Sequence, residues 1–192
     1  MSNDFFGYVK RMKYIKRWSL MHSTFEENDM EHSMEVTVIA HAIALIGNKK
    51  FNKAYDVNKV LTYAIYHECS EVITGDLPTP IKYFNRDIKT AYKDLELEAC
   101  KKLLSSLDEE LVPEYEKALI PDKDSPEWAI VKCADRVAAY IKCIDEVNMG
   151  NKEFKKAHQS IGKDVKAIDI EEVKYFLDKM LPAFTKTLDE LD

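Results

Sequence analysis

Ser125-Pro-Glu-Trp-Ala-Ile-Val-Lys-Cys-Ala-Asp-Arg-Val-Ala-Ala-Tyr-Ile-Lys-Cys-Ile-Asp-Glu-Val147 is the stretch whose reading decides the fold class. Serine followed by proline and an acid is a strong helix start. Proline's fixed φ suits the first helical position, and the N–H it lacks has no intrahelical partner there. Ile130, Ala134, Val137, Ile141 and Ile144 then recur at helical spacing, giving one apolar face to a helix that reaches about Val147. The same grammar repeats on both sides. Asn28-Asp-Met-Glu31 reads as an N-cap with an acid three residues on, opening a helix to about Ile46 with Val36, Ile39, Ala40 and Ile43 as its stripe. Gly47-Asn48 is expected to end it. Asp56 can cap a further helix in which Val60, Leu61, Ala64 and Ile65 face inward, and which carries His67 and fades before Gly75. Helices are also expected over about Arg86 to Ser106, Glu109 to Leu119 and Ile170 to Leu181, with Pro182 kinking or restarting the last. No segment alternates with period two for long enough to demand a strand. The expectation is an all-α fold, with 1–192 as a single domain.

Composition narrows the function classes. The 192 residues are 46% hydrophobic and 32% charged, with only five glycines and six prolines, which suits a globular helical protein. A formal charge of −6 argues against a nucleic-acid polymer as partner, while leaving room for a local basic pocket that holds a phosphate. No apolar run approaches the ~18 residues of a membrane span. Met1-Ser-Asn-Asp-Phe-Phe6 has no basic region leading into an apolar stretch, so no secretory signal is read there. Cys69, Cys100, Cys133 and Cys143 form no C-x-x-C pair, each within an apparently helical stretch. They are expected to be reduced thiols in a cytoplasmic protein, without a structural zinc.

The residues able to do chemistry are few. His32, the adjacent His67-Glu68, and Asp135 supply two imidazoles and two carboxylates, a donor set suited to a divalent ion once folding brings them together. Neighbouring residues on a helix point about 100° apart, so His67 and Glu68 share an ion only if it sits at that helix's edge. Glu71, at i+4 from His67, shares its face and can act on a water or a leaving group. Asp135 lies on an apolar stretch and needs a partner, because a carboxylate buried alone is costly. That partner is an ion or, more plainly, Lys132 or the neighbourhood of Arg136. Each histidine read singly is equally a hydrogen-bonded core residue. Thr74-Gly-Asp-Leu-Pro-Thr-Pro80 holds two prolines and a glycine, which forbids regular helix and makes a stiff loop beside His67. His67-Glu-Cys-Ser-Glu71 is not a zinc-protease helix, since that pattern needs histidine where Glu71 stands.

The order His32, His67-Glu68, Asp135 resembles the H…HD…D skeleton of the HD-domain metal-dependent phosphohydrolases. Longer stretches resemble the YfbR-type 5′-deoxynucleotidases within that superfamily. These are Arg11-Met-Lys-Tyr-Ile-Lys-Arg-Trp18, Glu31-His-Ser33, Tyr66-His-Glu-Cys-Ser-Glu-Val-Ile-Thr-Gly-Asp-Leu-Pro-Thr-Pro-Ile-Lys-Tyr-Phe84, Lys132-Cys-Ala-Asp135 and Tyr140-Ile-Lys-Cys143. The likeness spans nearly the whole chain, and Gly75 to Tyr83 is its most specific part. It implies an HD-domain helical bundle that removes the 5′-phosphate from deoxyribonucleoside monophosphates, works as a homodimer, and uses a divalent transition metal (Mn2+, Co2+ or Zn2+). By position, His32, His67, Glu68 and Asp135 would hold the metal. Arg17 would orient the phosphate, and Trp18 would wall the sugar where bulk excludes a 2′-hydroxyl. Glu71 and Asp76 would serve proton transfer or water positioning. Asp76, Leu77, Pro78 and Thr79 would line the substrate, together with His32, Glu68 and Asp135. One departure falls in the skeleton itself: the family signature has His-Asp, and this chain has His67-Glu68. Glutamate keeps the charge but adds a methylene, moving the carboxylate by roughly 1–1.5 Å. Two rival readings follow: an HD phosphohydrolase acting on another nucleotide or phosphate ester, or a non-catalytic nucleotide-binding module whose metal was lost with Glu68.

The other conspicuous residues read as structural. His41 sits at helical spacing with Thr37, Val38 and Leu45 as core or partly exposed filler. His22 lies in a loop near Arg17, and His158 stands among lysines as a solvated side chain. Tyr175, Phe176 and Phe184 read as core or dimer contact. The pairs Lys49-Lys50, Lys101-Lys102 and Lys155-Lys156 read as solvated faces.

Overall fold

The computed structural model describes residues 3–82 and 84–191, and in it helix follows helix. They are α1 (Phe5–Val9), α2 (Asp29–Lys50), α3 (Val57–Tyr66), α4 (Glu71–Thr74), α5 (Thr79–Lys82), α6 (Arg86–Leu104), α7 (Val112–Leu119), α8 (Pro126–Asn148), α9 (Lys155–Lys166) and α10 (Glu171–Lys179). Short 3-10 turns at Lys10–Tyr14, Lys152–Phe154, Leu181–Thr185 and Leu188–Glu190 complete the set. Among the described residues no strand forms; a single antiparallel bridge joins Lys16 to Asn28. The all-α expectation therefore holds.

The caps read from the sequence are in place. The Asn28 side chain accepts from the Met30 and Glu31 amides, both at 3.1 Å, and Asp56 accepts from Lys59 N–H. Ser125 accepts from Trp128 N–H, with Pro126 opening α8. The main core lies between α2, α3, α8, α9 and α10. Val36, Ile39, Ala40 and Ile43 meet Val60, Tyr63 and Ala64, the Ile130–Ile141 face of α8, Val165, and Val173 with Phe176. A second, smaller core gathers Phe5, Cys69, Cys100, Leu103, Leu104, Leu107 and Leu119 under α1, α6 and α7. The turn after α3 lies between the two, with Ala64 in one core and Cys69 in the other.

Several boundaries differ from the sequence expectation. α2 runs through Gly47 to Lys50. That glycine serves close packing, because a Cβ there would meet the Tyr55 ring at 2.6 Å. α3 stops at Tyr66, so His67 is its C-cap and Glu68 sits in the turn beyond. Ile65 points outward and Tyr63 takes the inward place. Only Gly75 to Pro78 is irregular loop, since Pro80 falls inside α5, in the first turn where proline is tolerated. α1 and α9 had no sequence signal strong enough to name. Tyr83, an expected loop residue, lies outside the described residues.

Candidate metal centre and active site

Three elements deliver the four candidate ligands. His32 rises from the first turn of α2, Asp135 from the middle of α8, and His67-Glu68 from the end of α3. One donor atom from each of the four lies within 4.8 Å of the others. His67 Nδ1 donates to the Ala64 carbonyl at 2.8 Å, which turns Nε2 inward. That Nε2 is buried and has no hydrogen-bond partner, although Glu68 Oε1 lies 3.3 Å away. His32 is held at both ends: Nδ1 is 3.0 Å from Glu27 Oε1, and Nε2 is 3.1 Å from Asp135 Oδ1. The other Asp135 oxygen accepts from Lys132. Asp135 thus has the plain ion pair weighed in the sequence and still offers an oxygen to the cluster.

Around this nucleus stands an excess of carboxylate. The Arg17 Nη1 lies 3.5 Å from Glu68 and 3.7 Å from Asp29, and its Nε is 3.7 Å from Glu27. Glu71 is buried beside Glu68, Asp29 and Asp76, and burial together with those three charges pushes it up to about 11. Burial also lifts Asp29 to about 7, with Glu68 adding to the rise, and raises Asp76. Glu68 goes the other way: burial opposes its charge, but His67 and Arg17 outweigh that and hold it well below the usual range. Asp135 is likewise lowered against its burial by Lys132 and His32. An acid-rich, partly desolvated pocket with one orphaned imidazole nitrogen fits a divalent cation. The donors match the N/O set that transition metals accept.

Arg17 and Trp18 stand on a loop closed at its base. Arg17 N–H donates to the Glu27 carbonyl at 3.0 Å, and Asp29 N–H to the Ile15 carbonyl at 3.1 Å. The far side of this loop is tied to α8, where the buried Glu146 carboxylate accepts from the Thr24 and Phe25 amides, Lys142 and Asn151. Trp18 occupies left-handed backbone space, with φ +57°. Its indole N–H donates to Glu27 Oε2 at 2.8 Å, and its ring packs on Phe154 at 5.2 Å. On the other side, Tyr92 O–H donates to the Gly75 carbonyl at 3.1 Å, fixing the loop that carries Asp76, Leu77, Pro78 and Thr79. Leu77 and Pro78 are half-buried, and Thr79 is exposed.

The remaining histidines stay outside the cluster. His22 is exposed, with its carbonyl accepting from Asn151. His41 is half-buried. His158, expected to be solvated, is half-buried against the Tyr140 ring at 5.2 Å, since α9 packs on α8. Sequence reasoning missed Glu27 and Asp29. They flank the Asn28 cap in a non-periodic stretch, and the only signal there was acid preceding and following a cap.

The chain matches the family model "5′-deoxynucleotidase YfbR-like" over residues 4–184. It belongs to the YfbR-like 5′-deoxynucleotidase family. A 5′-deoxynucleotidase of Vibrio cholerae is 45% identical over 190 residues, 98% of each chain. One of Shewanella oneidensis is 41% identical over 97% of this chain and 96% of its own. Solved structures agree on the fold. An HD-domain phosphohydrolase of Listeria innocua superposes with a TM-score of 0.82 at 24% identity, covering 94% of this chain and 88% of its own. The HD phosphohydrolase DatZ of cyanophage S-2L, whose structure is bound to dA and one catalytic Zn2+ ion, superposes at 0.65 with 17% identity, over 94% and 96%. The four gathered side chains, His32, His67, Glu68 and Asp135, are a candidate ion site in which glutamate follows His67.

Proposed function

We propose that this chain hydrolyses deoxyribonucleoside 5′-monophosphates to deoxynucleoside and phosphate, at one site within a single domain. The observation that carries the reading is the convergence of His32, His67, Glu68 and Asp135 within 4.8 Å, next to the half-buried Arg17, in a chain of this family. These four residues would hold a divalent transition metal: Mn2+, Co2+ or Zn2+. When bound, the ion supplies positive charge that polarises a phosphoryl oxygen and acidifies water. The protein's own residues do the rest. Arg17, permanently cationic and ringed by acids, orients the phosphate through its planar fork of donors. Trp18, locked by Glu27 and Phe154, walls the sugar and leaves no room for a 2′-hydroxyl. Glu71 keeps its proton near neutrality and is placed to give it to the leaving 5′-oxygen. Asp76 positions water, and Leu77, Pro78 and Thr79 close the substrate's side, with His32, Glu68 and Asp135 facing the phosphate.

We also place the working protein as a homodimer in the cytoplasm. Met30, Met34, Val38 and Leu45 expose an apolar stripe along α2, which supports pairing. The four cysteines are free, which suits a reducing compartment, and among the described residues no helix is long and apolar enough to cross a membrane.

The test is phosphate release from paired dNMP and NMP substrates. Metal-stripped protein would be resupplied separately with Mn2+, Co2+, Zn2+ or Mg2+, with Asp135→Asn alongside. Metal-dependent release from dNMPs and not NMPs, abolished in the variant, is the expected outcome. Release from other phosphate esters alone points to a different HD phosphohydrolase. Silence with every ion and nucleotide points to a non-catalytic module, with Glu68 as the cause.

A further inference from the structure

Glu27 lies outside every helix, yet its two carboxylate oxygens reach different parts of the site. Oε1 is 3.0 Å from His32 Nδ1, and Oε2 accepts the Trp18 indole N–H at 2.8 Å. Its backbone carbonyl accepts the Arg17 amide at 3.0 Å, and its side chain is only 11% exposed. From this geometry we infer that Glu27 is a positioning residue that couples sugar discrimination to metal affinity, by orienting Trp18 and His32 through one carboxylate. The inference rests on the 5′-deoxynucleotidase reading of the same site.

The chemistry follows from donors and acceptors. An ionised carboxylate only accepts, and an indole N–H only donates. Opposite Oε1, His32 must therefore donate from Nδ1, so that Nε2, which lies 3.1 Å from Asp135 Oδ1, is the nitrogen left to give up its proton and turn a lone pair to an ion. Opposite Oε2, the indole of Trp18 is fixed although its backbone sits at φ +57°, a region that side chains other than glycine adopt only when the surroundings hold them there.

Glutamine cannot replace this arrangement. Its amide offers one acceptor oxygen and one donor NH2, so it satisfies a single partner. With the oxygen toward Trp18, the NH2 forces His32 Nδ1 to accept and moves the imidazole proton to Nε2, where it blocks a ligand. With the oxygen toward His32, the NH2 meets the indole N–H donor against donor. Both arrangements are populated, so both functions suffer.

The experiment compares the full-length wild type with Glu27→Gln and Trp18→Phe, measuring the Mn2+ dissociation constant by calorimetry and the dNMP/NMP ratio of kcat/KM at saturating Mn2+. In Glu27→Gln, Mn2+ binding is expected to weaken by ~10–100-fold, the usual cost of losing a residue that orients a ligating histidine, and the ratio to narrow. In Trp18→Phe, which keeps an aromatic ring at that wall but loses the indole N–H, the ratio narrows while Mn2+ affinity stays within about threefold. A Glu27→Gln protein in which only one quantity moves, or neither, overturns the coupling. Should that variant fail to fold, 15N NMR of the Zn2+-loaded wild type decides. An Nδ1–H tautomer at His32 with an exchange-protected Trp18 indole proton is required, and an Nε2–H tautomer overturns the proposal. A wild type that releases no phosphate from any dNMP sinks the nucleotidase reading itself, while the Mn2+ and tautomer measurements still test Glu27.

Discussion

At the scale of single residues, the site separates carboxylates by environment. Glu68 and Asp135 are kept ionised by His67, Arg17, Lys132 and His32, against the burial that opposes charge. Glu71, a few residues on, is buried among like charges and pushed up to about 11. Groups whose surroundings drive them apart in this way are the ones that divide ligand and acid roles. The extra methylene of Glu68 also finds its explanation here. Because α3 ends at Tyr66, Glu68 sits in a turn, and its longer arm brings Oε1 to 3.3 Å from His67 and 3.5 Å from Arg17. Glu71→Gln is the informative substitution, since the neutral amide matches the protonated acid in shape and in hydrogen-bond donation. The fold and Mn2+ binding are expected to survive, while kcat for dNMP hydrolysis falls by roughly 10²–10⁴-fold, the usual worth of a positioned proton donor. Steady-state kinetics beside a Mn2+ titration would show this. A variant with wild-type kcat would remove Glu71 from the proton path.

At the scale of elements, each site residue is as firm as the segment that carries it. His32 stands one turn inside α2, where the Asn28 cap satisfies two otherwise orphaned amides. Asn28→Ala should cost about 1 kcal/mol of stability by denaturant unfolding and fray the turn bearing His32, weakening Mn2+ binding in parallel. The loop holding Arg17, Trp18 and Glu27 depends on Glu146, which is lowered to about 2 because its hydrogen bonds from Lys142, Asn151 and Thr24 outweigh its burial. A carboxyl depressed from 4.5 in this way stabilises the fold fully above about pH 4.5 and loses that contribution as pH falls toward 2. Wild type should therefore melt above Glu146→Gln at pH 7, with the two curves of Tm against pH converging at the acid end. A gap that stays constant with pH would deny Glu146 that role. Elements were also where the sequence was most and least legible. Caps at Asn28, Asp56 and Ser125 and the α2 and α8 stripes follow from local chemistry and stood out. The ligand set was legible through its residue types and through resemblance, because spacing alone left His32 and Asp135 as ordinary core residues. Glu27, Glu146 and α9 did not stand out. Glu27 and Glu146 act through contacts set by the tertiary fold, and α9, lysine-rich on its outer face, is held by Gly162 lying against the Tyr140 ring.

For the whole molecule, the candidate ligands are spread so that a bound ion would fasten what the cores alone do not. His32 and Asp135 belong to helices of the main core, and the His67-Glu68 turn leads through Cys69 into the smaller one. In the metal-free protein Glu68, Asp29 and Asp76 crowd one another and force a proton onto Glu71, which opposes the compact state. A cation that binds the folded chain and finds no preformed site in the unfolded one relieves that repulsion and stabilises by mass action, about 2.7 kcal/mol at a hundredfold excess over Kd. In a chain of this size about 1 kcal/mol moves Tm by ~2–4 °C, so saturating Mn2+ should raise Tm by roughly 5–10 °C. The rise should grow with the logarithm of ion concentration and reverse with a chelator. Asp135→Asn should shrink it strongly, while Lys174→Ala, whose partner Asp169 lies on the exposed surface, should leave it intact. Calorimetric scans across an ion series measure all three. A Tm indifferent to every divalent ion in the wild type would mean that the four residues, though gathered, do not hold one, and that Lys132, Arg17 and the two histidines balance the acids of this site.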